Sequence, residues 1–168
     1  SYSGGFSVYA ARGGASCVVS VDASVPGVEL ARKNLEHNRF DPDAHPCIVS
    51  NVFDYLTVCR EENRRFDMVI VDPPAFVKTK AARDRAVRAY ISLNRKAMQV
   101  LRPGGVLVSA SCSTLVDYEA FFTILRTAAA ASRRELQIVK GHLQAADHPV
   151  PTAFPEGRYL KCFFGVVG

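Results

Sequence analysis

The sequence predicts an α/β domain built on a doubly wound, Rossmann-like, mostly parallel sheet, and three observations carry that expectation. Strand and helix signals alternate along almost the whole chain, residues able to carry chemistry stand directly after strand signals, and the last two strands form a terminal antiparallel pair. Parallel strands need crossovers, and helical crossovers cover both faces of the sheet. In order, residues 4–12 have helical spacing through Phe6, Tyr9 and Ala10, with Gly13-Gly14 as a stop. "SCVVSVD" (16–22) is a β-branched run ending in an acid and reads as a buried parallel strand. Ser24 caps a helix to about Asn38, "HPCIVSN" (45–51) is the next strand, and 52–61 a short helix. "FDMVIVDPP" (66–74) is the clearest strand, four apolar residues between two aspartates. A helix follows over about 81–101, where Ala86, Tyr90, Leu93, Ala97 and Val100 repeat at four and three and Pro103-Gly104-Gly105 ends the pattern. "VLVSASCS" (106–113) is a strand, 118–131 a helix, and "LQIVKG" (136–141) and "YLKCFFGVV" (159–167) the terminal pair. The strand that normally precedes a glycine turn like the one at Gly4-Gly5, and that is normally central in the sheet, has no counterpart before Ser1.

Composition narrows the function classes. A chain of 168 residues fits one domain with a full core, since roughly 150 residues hide about two-thirds of their unfolded surface. No apolar run approaches the roughly 20 residues that span a bilayer, and the N-terminus carries no signal-peptide pattern. Five cysteines, odd in number, widely spaced and without a CxxC pair, signal neither a disulfide framework nor a structural zinc site, so a reducing cytoplasm and no metal are expected. A net charge of +5 suits a polyanionic partner, because a basic field raises phosphate affinity and encounter rates. Lys78, Lys80, Arg83, Arg85 and Arg88 crowd one stretch, either as a solvated helix face or as phosphate contacts.

In doubly wound sheets ligands sit outside the carboxyl ends of the strands. Asp22, Asn51, Asp72-Pro73-Pro74 and Ser111-Cys112-Ser113 each close a predicted strand. Gly4-Gly5 lets backbone approach a ligand at a helix N-terminus, and Asp22 follows near the spacing of roughly 20 residues at which an acid takes ribose hydroxyls. Together they point to a nucleoside-bearing cofactor; a tight turn with a capping aspartate is the plainer alternative. Asp72-Pro73-Pro74 forms a rigid platform whose carboxylate and carbonyls face a planar ligand, and Phe76 either stacks on a base or packs in the core. Cys112, set between serines at a strand end, is placed as a nucleophile, whereas Cys17, Cys47, Cys59 and Cys162 read as small buried hydrophobes.

With these residues in place, the sequence resembles the cytosine-C5 methyltransferases acting on large-subunit (23S) ribosomal RNA, adenosylmethionine-dependent enzymes of class I. "YSGGFSVYA" (2–10), "VVSVD" (18–22), "NVFDYL" (51–56), "DPPAFVK" (72–78), "SCS" (111–113), "ADHPV" (146–150) and "FPEGRYLK" (154–161) occur in the family's order over essentially the whole chain. The resemblance implies that residues 1–168 are the catalytic domain of a longer protein whose N-terminal RNA-binding PUA region lies outside it. It implies S-adenosylmethionine as cofactor, with Tyr2, Ser3, Gly4 and Gly5 at its methionine part, Asp22 on the ribose, Asn51 and Val52 beside the adenine, and Asp72 close by. Asn51 stands where aspartate is usual, and Ala75 where lysine is common.

The partner implied is ribosomal RNA with a single-stranded or flipped base, and a homodimer is left open. Cys112 and Asp72 are the expected catalytic residues, and Pro73, Pro74, Phe76, Lys78 and Tyr90 the expected substrate contacts. An RNA methyltransferase acting on a base nitrogen, which needs no cysteine, is the nearest rival; a noncatalytic RNA-binding module is the other. His148 reads as a loop contact rather than a base, and Glu156, Tyr159 and Lys161 as residues able to brace the floor of the site.

Overall fold

The computed structural model describes residues 1–76 and 83–168, and the chain divides into two compact units, Ser1–Val58 and Cys59–Gly168. The first unit carries helix α1 (Gly5–Arg12), strand β1 (Ser20–Asp22), α2 (Val25–His37) and β2 (Cys47–Val49), and α3 (Val52–Glu61) begins in it. β1 and β2 pair in parallel, Ser20 opposite Cys47 and Asp22 opposite Val49. The strand expected over 16–22 is therefore confined to its last three residues. Pro46 lies opposite Val19 in this register and has no N–H, so the ladder begins where Ser20 donates to the Pro46 carbonyl at 2.9 Å. α2 starts as the sequence indicates, with Ser24 Oγ accepting from the Gly27 N–H at 3.2 Å. Its inner face buries Val28, Ala31 and Leu35.

The second unit holds β3 (Phe66–Val71), α4 (Arg83–Gln99), β4 (Leu101–Ser111), α5 (Tyr118–Ser132), β5 (Leu136–His142) and β6 (Lys161–Val167). Its sheet has the order β3-β4-β6-β5, with β3 and β4 parallel and β6 antiparallel to both neighbours. The terminal antiparallel pair is thus present, with β6 inserted between β4 and β5. Among the described residues β1 pairs only with β2 and β3 only with β4, so each keeps one free edge. Cover on β3 is incomplete, since Met68 and Ile70 remain exposed.

Two boundaries differ from expectation for physical reasons. The helix expected to reach Leu101 ends at Gln99, because Val100 O accepts from the Phe66 N–H and Leu101 pairs with Phe66. Pro103-Gly104-Gly105 is then a bulge within β4 rather than a helix stop: Phe66 faces Leu101 but Met68 faces Val106. Gly104 takes φ +77 there, and a side chain on Gly105 would meet the Arg102 carbonyl at 2.8 Å. The apolar set on α4 behaves as read, with Ala86, Tyr90, Leu93, Ala97 and Val100 all buried. Ala86 and Tyr90 pack with Val116, Phe121, Ile124, Leu125 and Phe163 in one cluster. α5 opens on Asp117, whose Oδ1 accepts from the Ala120 N–H at 2.8 Å.

Candidate active site

In the first unit, the turn before α1 and the end of β1 form one polar constellation. Gly4 sits in the left-handed region at φ +73, and a Cβ on it would lie 2.7 Å from the Cβ of Ala31. Only glycine brings this turn so close to α2. Asn34 on α2 fixes the same turn by donating from Nδ2 to the Ser3 carbonyl at 2.8 Å. Gly5, the first residue of α1, has nothing within 4 Å of where a Cβ would stand.

Asp22 closes the constellation. Its carboxylate accepts from the Ser1 amino group at 2.7 Å, the Tyr2 N–H at 2.8 Å and the Ser24 N–H at 3.0 Å. The Tyr2 and Ser24 amides both favour its ionised form. Tyr2 is exposed and carries φ +46, an uncommon value for a non-glycine residue. An ionised acid after the first strand, a glycine turn and an open glycine at a helix start fit the ribose and amino-acid parts of S-adenosylmethionine. At the end of β2, Asn51 caps α3 through Oδ1, which accepts from the Phe53 N–H at 2.9 Å. Its amide nitrogen stays exposed, with Val52 half-buried beside it.

In the second unit, parallel pairing of β3 with β4, Val71 opposite Ser109, places the residues that follow both strands at the same end of the sheet. Asp72-Pro73-Pro74 ends β3, since the prolines withdraw two ladder donors. Asp72 is exposed as a residue, yet partial desolvation raises its pKa above the usual carboxylate value. Ser111-Cys112-Ser113 ends β4, with Cys112 half-buried between two buried serines.

The hub joining these two turns is Tyr90 of α4. Its hydroxyl accepts from Ser111 Oγ at 3.1 Å and from the Phe76 N–H, while Ser111 Oγ accepts from the Ser113 N–H at 3.3 Å. Phe76 stands edge-on to Tyr90 with centroids 4.7 Å apart. Tyr90 is wholly buried, and that burial is the main cause of its raised pKa. Tyr90, expected at the substrate, has no exposed surface, and its hydroxyl holds the two turns. Phe76 is half-buried and already packed on Tyr90, and Pro73 and Pro74 line the rest of the turn.

Lys78, expected at the substrate, and Lys80 lie outside the described residues. Arg83 donates to the Leu115 carbonyl at 3.2 Å in the loop after β4, and Arg85 and Arg88 are exposed on α4. His148 is exposed and paired with Asp147 at 3.1 Å. Two further buried groups stand out, Asn94, which the sequence reading did not single out, and Lys161, which it read only as able to brace the floor of the site. Asn94 accepts from Ser109 Oγ at 2.6 Å and donates to the Tyr90 carbonyl at 2.9 Å, tying α4 to β4. Lys161 is 3% exposed, and its Nζ donates to the carbonyls of Ser113 and, at 2.9 Å, Tyr159. Its signal was legible in principle: Lys161 shares the inward period-two positions of β6 with Phe163 and Val167.

Known proteins show the same arrangement of sequence. Residues 1–148 match the family of S-adenosylmethionine-dependent methyltransferases. The chain is 45% identical over 165 residues to the ribosomal RNA large subunit methyltransferase I of Vibrio cholerae, covering 97% of this chain and 42% of that protein. To the protein of that name from Photobacterium profundum it is 45% identical over 162 residues, covering 96% and 41%. The chain thus spans only about 42% of the length of such relatives. Its fold superposes on SMU.776, described as a methyltransferase and crystallised with SAH, with a TM-score of 0.85 at 25% identity, covering 98% of this chain and 43% of that one.

Proposed function

Because the chain belongs to the family of S-adenosylmethionine-dependent methyltransferases, we propose that it methylates C5 of a cytosine in 23S ribosomal RNA, with Cys112 as the nucleophile. The observation that carries this reading is the placement of Cys112 at the end of β4, held by buried serines at the same end of the sheet as Asp72. The relatives named for large-subunit ribosomal RNA support the substrate class. In this reading the 168 residues are the catalytic part, working in the cytoplasm, and a PUA domain elsewhere in the full-length protein helps to deliver the RNA.

The residues of the first unit serve the cofactor. Tyr2, Ser3, Gly4 and Gly5 receive its methionine part, Asp22 its ribose hydroxyls, and Asn51 and Val52 its adenine. Bound there, S-adenosylmethionine supplies an electrophilic methyl group to C5 of the cytosine.

The residues of the second unit make C5 able to accept that group. C5 of cytosine is a weak nucleophile, so the Cys112 thiolate adds to C6, the new S–C6 bond pushing an electron pair towards C5. Asp72 hydrogen-bonds N3 and the exocyclic amine and steadies the charge that develops there; burial raises its carboxyl pKa, which favours the protonated form that can donate to N3. After C5 has been methylated, a base removes the C5 proton. The freed pair restores the C5=C6 double bond as the S–C6 bond breaks and Cys112 leaves as thiolate. The cytosine must be unstacked, since neither face of the ring is reachable within a helix. Pro73, Pro74 and Phe76 border it, and Lys78 with Arg85 and Arg88 meets the flanking phosphates.

The test is nucleoside mass spectrometry of unmodified large-subunit ribosomal RNA treated with the full-length protein and S-adenosylmethionine. The reading expects 5-methylcytosine from wild type and none from Cys112→Ala. A methylated base nitrogen that survives Cys112→Ala would overturn it.

A further inference from the structure

We propose that Lys161 is a positioning residue of the methyl-transfer site: its buried ammonium fastens the turn that presents Cys112 and sets a positive charge beside the sulfur. The inference rests on the reading of Cys112 as nucleophile. Lys161 opens β6 directly opposite Ser111 at the end of β4. Its inward neighbours on the strand, Phe163 and Val167, are buried apolar residues, so packing alone would favour another hydrophobe here. A buried ammonium is costly unless its donors are used. Lys161 uses them on two turns at once, the Ser113 carbonyl next to Cys112 and the Tyr159 carbonyl before β6. Among the described residues it forms no ion pair.

The charged and titratable groups around it are few. Cys112 and Asp117, at the start of α5, are the two that attract its charge, and burial opposes it, bringing its pKa down to about 8. Tyr90 from α4 and Asp72 after β3 flank the same turn, and Arg83 of α4 holds its far side at Leu115. Two effects follow from one side chain: the Ser113 carbonyl is pinned, which fixes where Cys112 points, and a cation stands at the turn that carries the sulfur.

The test is the rate at which iodoacetamide alkylates Cys112 near neutral pH, followed by peptide mass spectrometry, in the full-length protein and its Lys161→Met, Lys161→Gln and Lys161→Arg variants. Loss of the charge in Lys161→Met and Lys161→Gln is expected to slow alkylation about fivefold, and Lys161→Arg to restore most of it. Methylation of RNA should lose kcat in step while KM for RNA holds. Wild-type alkylation rates in the folded Met and Gln variants would overturn the proposal. Should Lys161→Met not fold, Lys161→Gln decides alone, since it keeps a donor for Ser113 and lacks the charge. Cys112→Ala is assayed alongside; methylation that survives it overturns the nucleophile reading by itself, whatever the Lys161 variants do, so the two failures are told apart.

Discussion

Gly4 and Gly5 are adjacent and chemically identical, yet their surroundings assign them opposite roles. Alanine at Gly4 meets Ala31 at 2.7 Å in a left-handed backbone, and Gly4→Ala should cost about 2 kcal/mol or more of stability in urea unfolding. Alanine at Gly5 meets nothing. Gly5→Ala should leave unfolding unchanged while calorimetry on the full-length protein shows S-adenosylmethionine affinity falling about tenfold, because the added methyl occupies the ligand's approach. Unchanged affinity would remove the turn from the cofactor site. Lys161 gives a pH signature at the same scale. Its pKa falls from 10.5 to about 8 on folding, so between those values the unfolded chain binds the proton more tightly. Stability of wild type relative to Lys161→Met should therefore be flat below about pH 8 and rise by about 3 kcal/mol towards pH 10.5. A difference that falls over that window would contradict burial of the charge. The glycine turn and the place of Asp22 at a strand end were legible, because turn chemistry is local. Lys161 was not assigned, because its partners are 48 and 2 residues away and only the fold brings the former near.

The elements matter here for the ends they align. β3 and β4 were legible as strands from their apolar runs, and the parallel pairing that sets Asp72 and Cys112 at one end follows from the helix between them. What the sequence left open was how two separate turns keep a fixed geometry. α4 supplies that through Tyr90, whose hydroxyl takes hydrogen bonds from the Phe76 N–H and Ser111 Oγ. A tyrosine at a helical core spacing reads as packing, and nothing local announces that its hydroxyl is spoken for twice. Tyr90→Phe keeps the ring and removes only that hub. It should cost about 1–2 kcal/mol, the expense of leaving buried donors unmet, and lower kcat for RNA methylation more than it raises KM. A variant with reduced stability and unaltered kcat would leave Tyr90 a core residue only. The bulge at Arg102–Gly105 escaped for a related reason: Pro-Gly-Gly after a helix is the pattern of a stop, and only the pairing of Leu101 with Phe66 reveals that the strand has already begun.

At the scale of the whole molecule, the chain forms two compact units, one carrying the glycine turn, Asp22 and Asn51, the other Asp72, Tyr90, Cys112 and Lys161. The α/β alternation was readable throughout because each amphipathic helix keeps its period, and the buried face of α4 includes Ala86, Tyr90, Leu93 and Ala97 as read, with Asn94 and Met98 added. Strand ends were less readable, since they depend on what the neighbouring strand offers, as Pro46 shows for β1. The account's central claim is that Cys112 bonds to C6 of the target cytosine. It is tested most directly by incubating the full-length protein and S-adenosylmethionine with ribosomal RNA in which 5-fluorocytidine replaces cytidine. Fluorine at C5 cannot leave as a proton does, so the S–C6 bond should persist and wild type should run as a denaturation-resistant protein–RNA adduct whose RNA maps to Cys112. Cys112→Ala should give none. A wild-type protein that methylates unmodified RNA yet forms no adduct on the fluorinated RNA would contradict the claim.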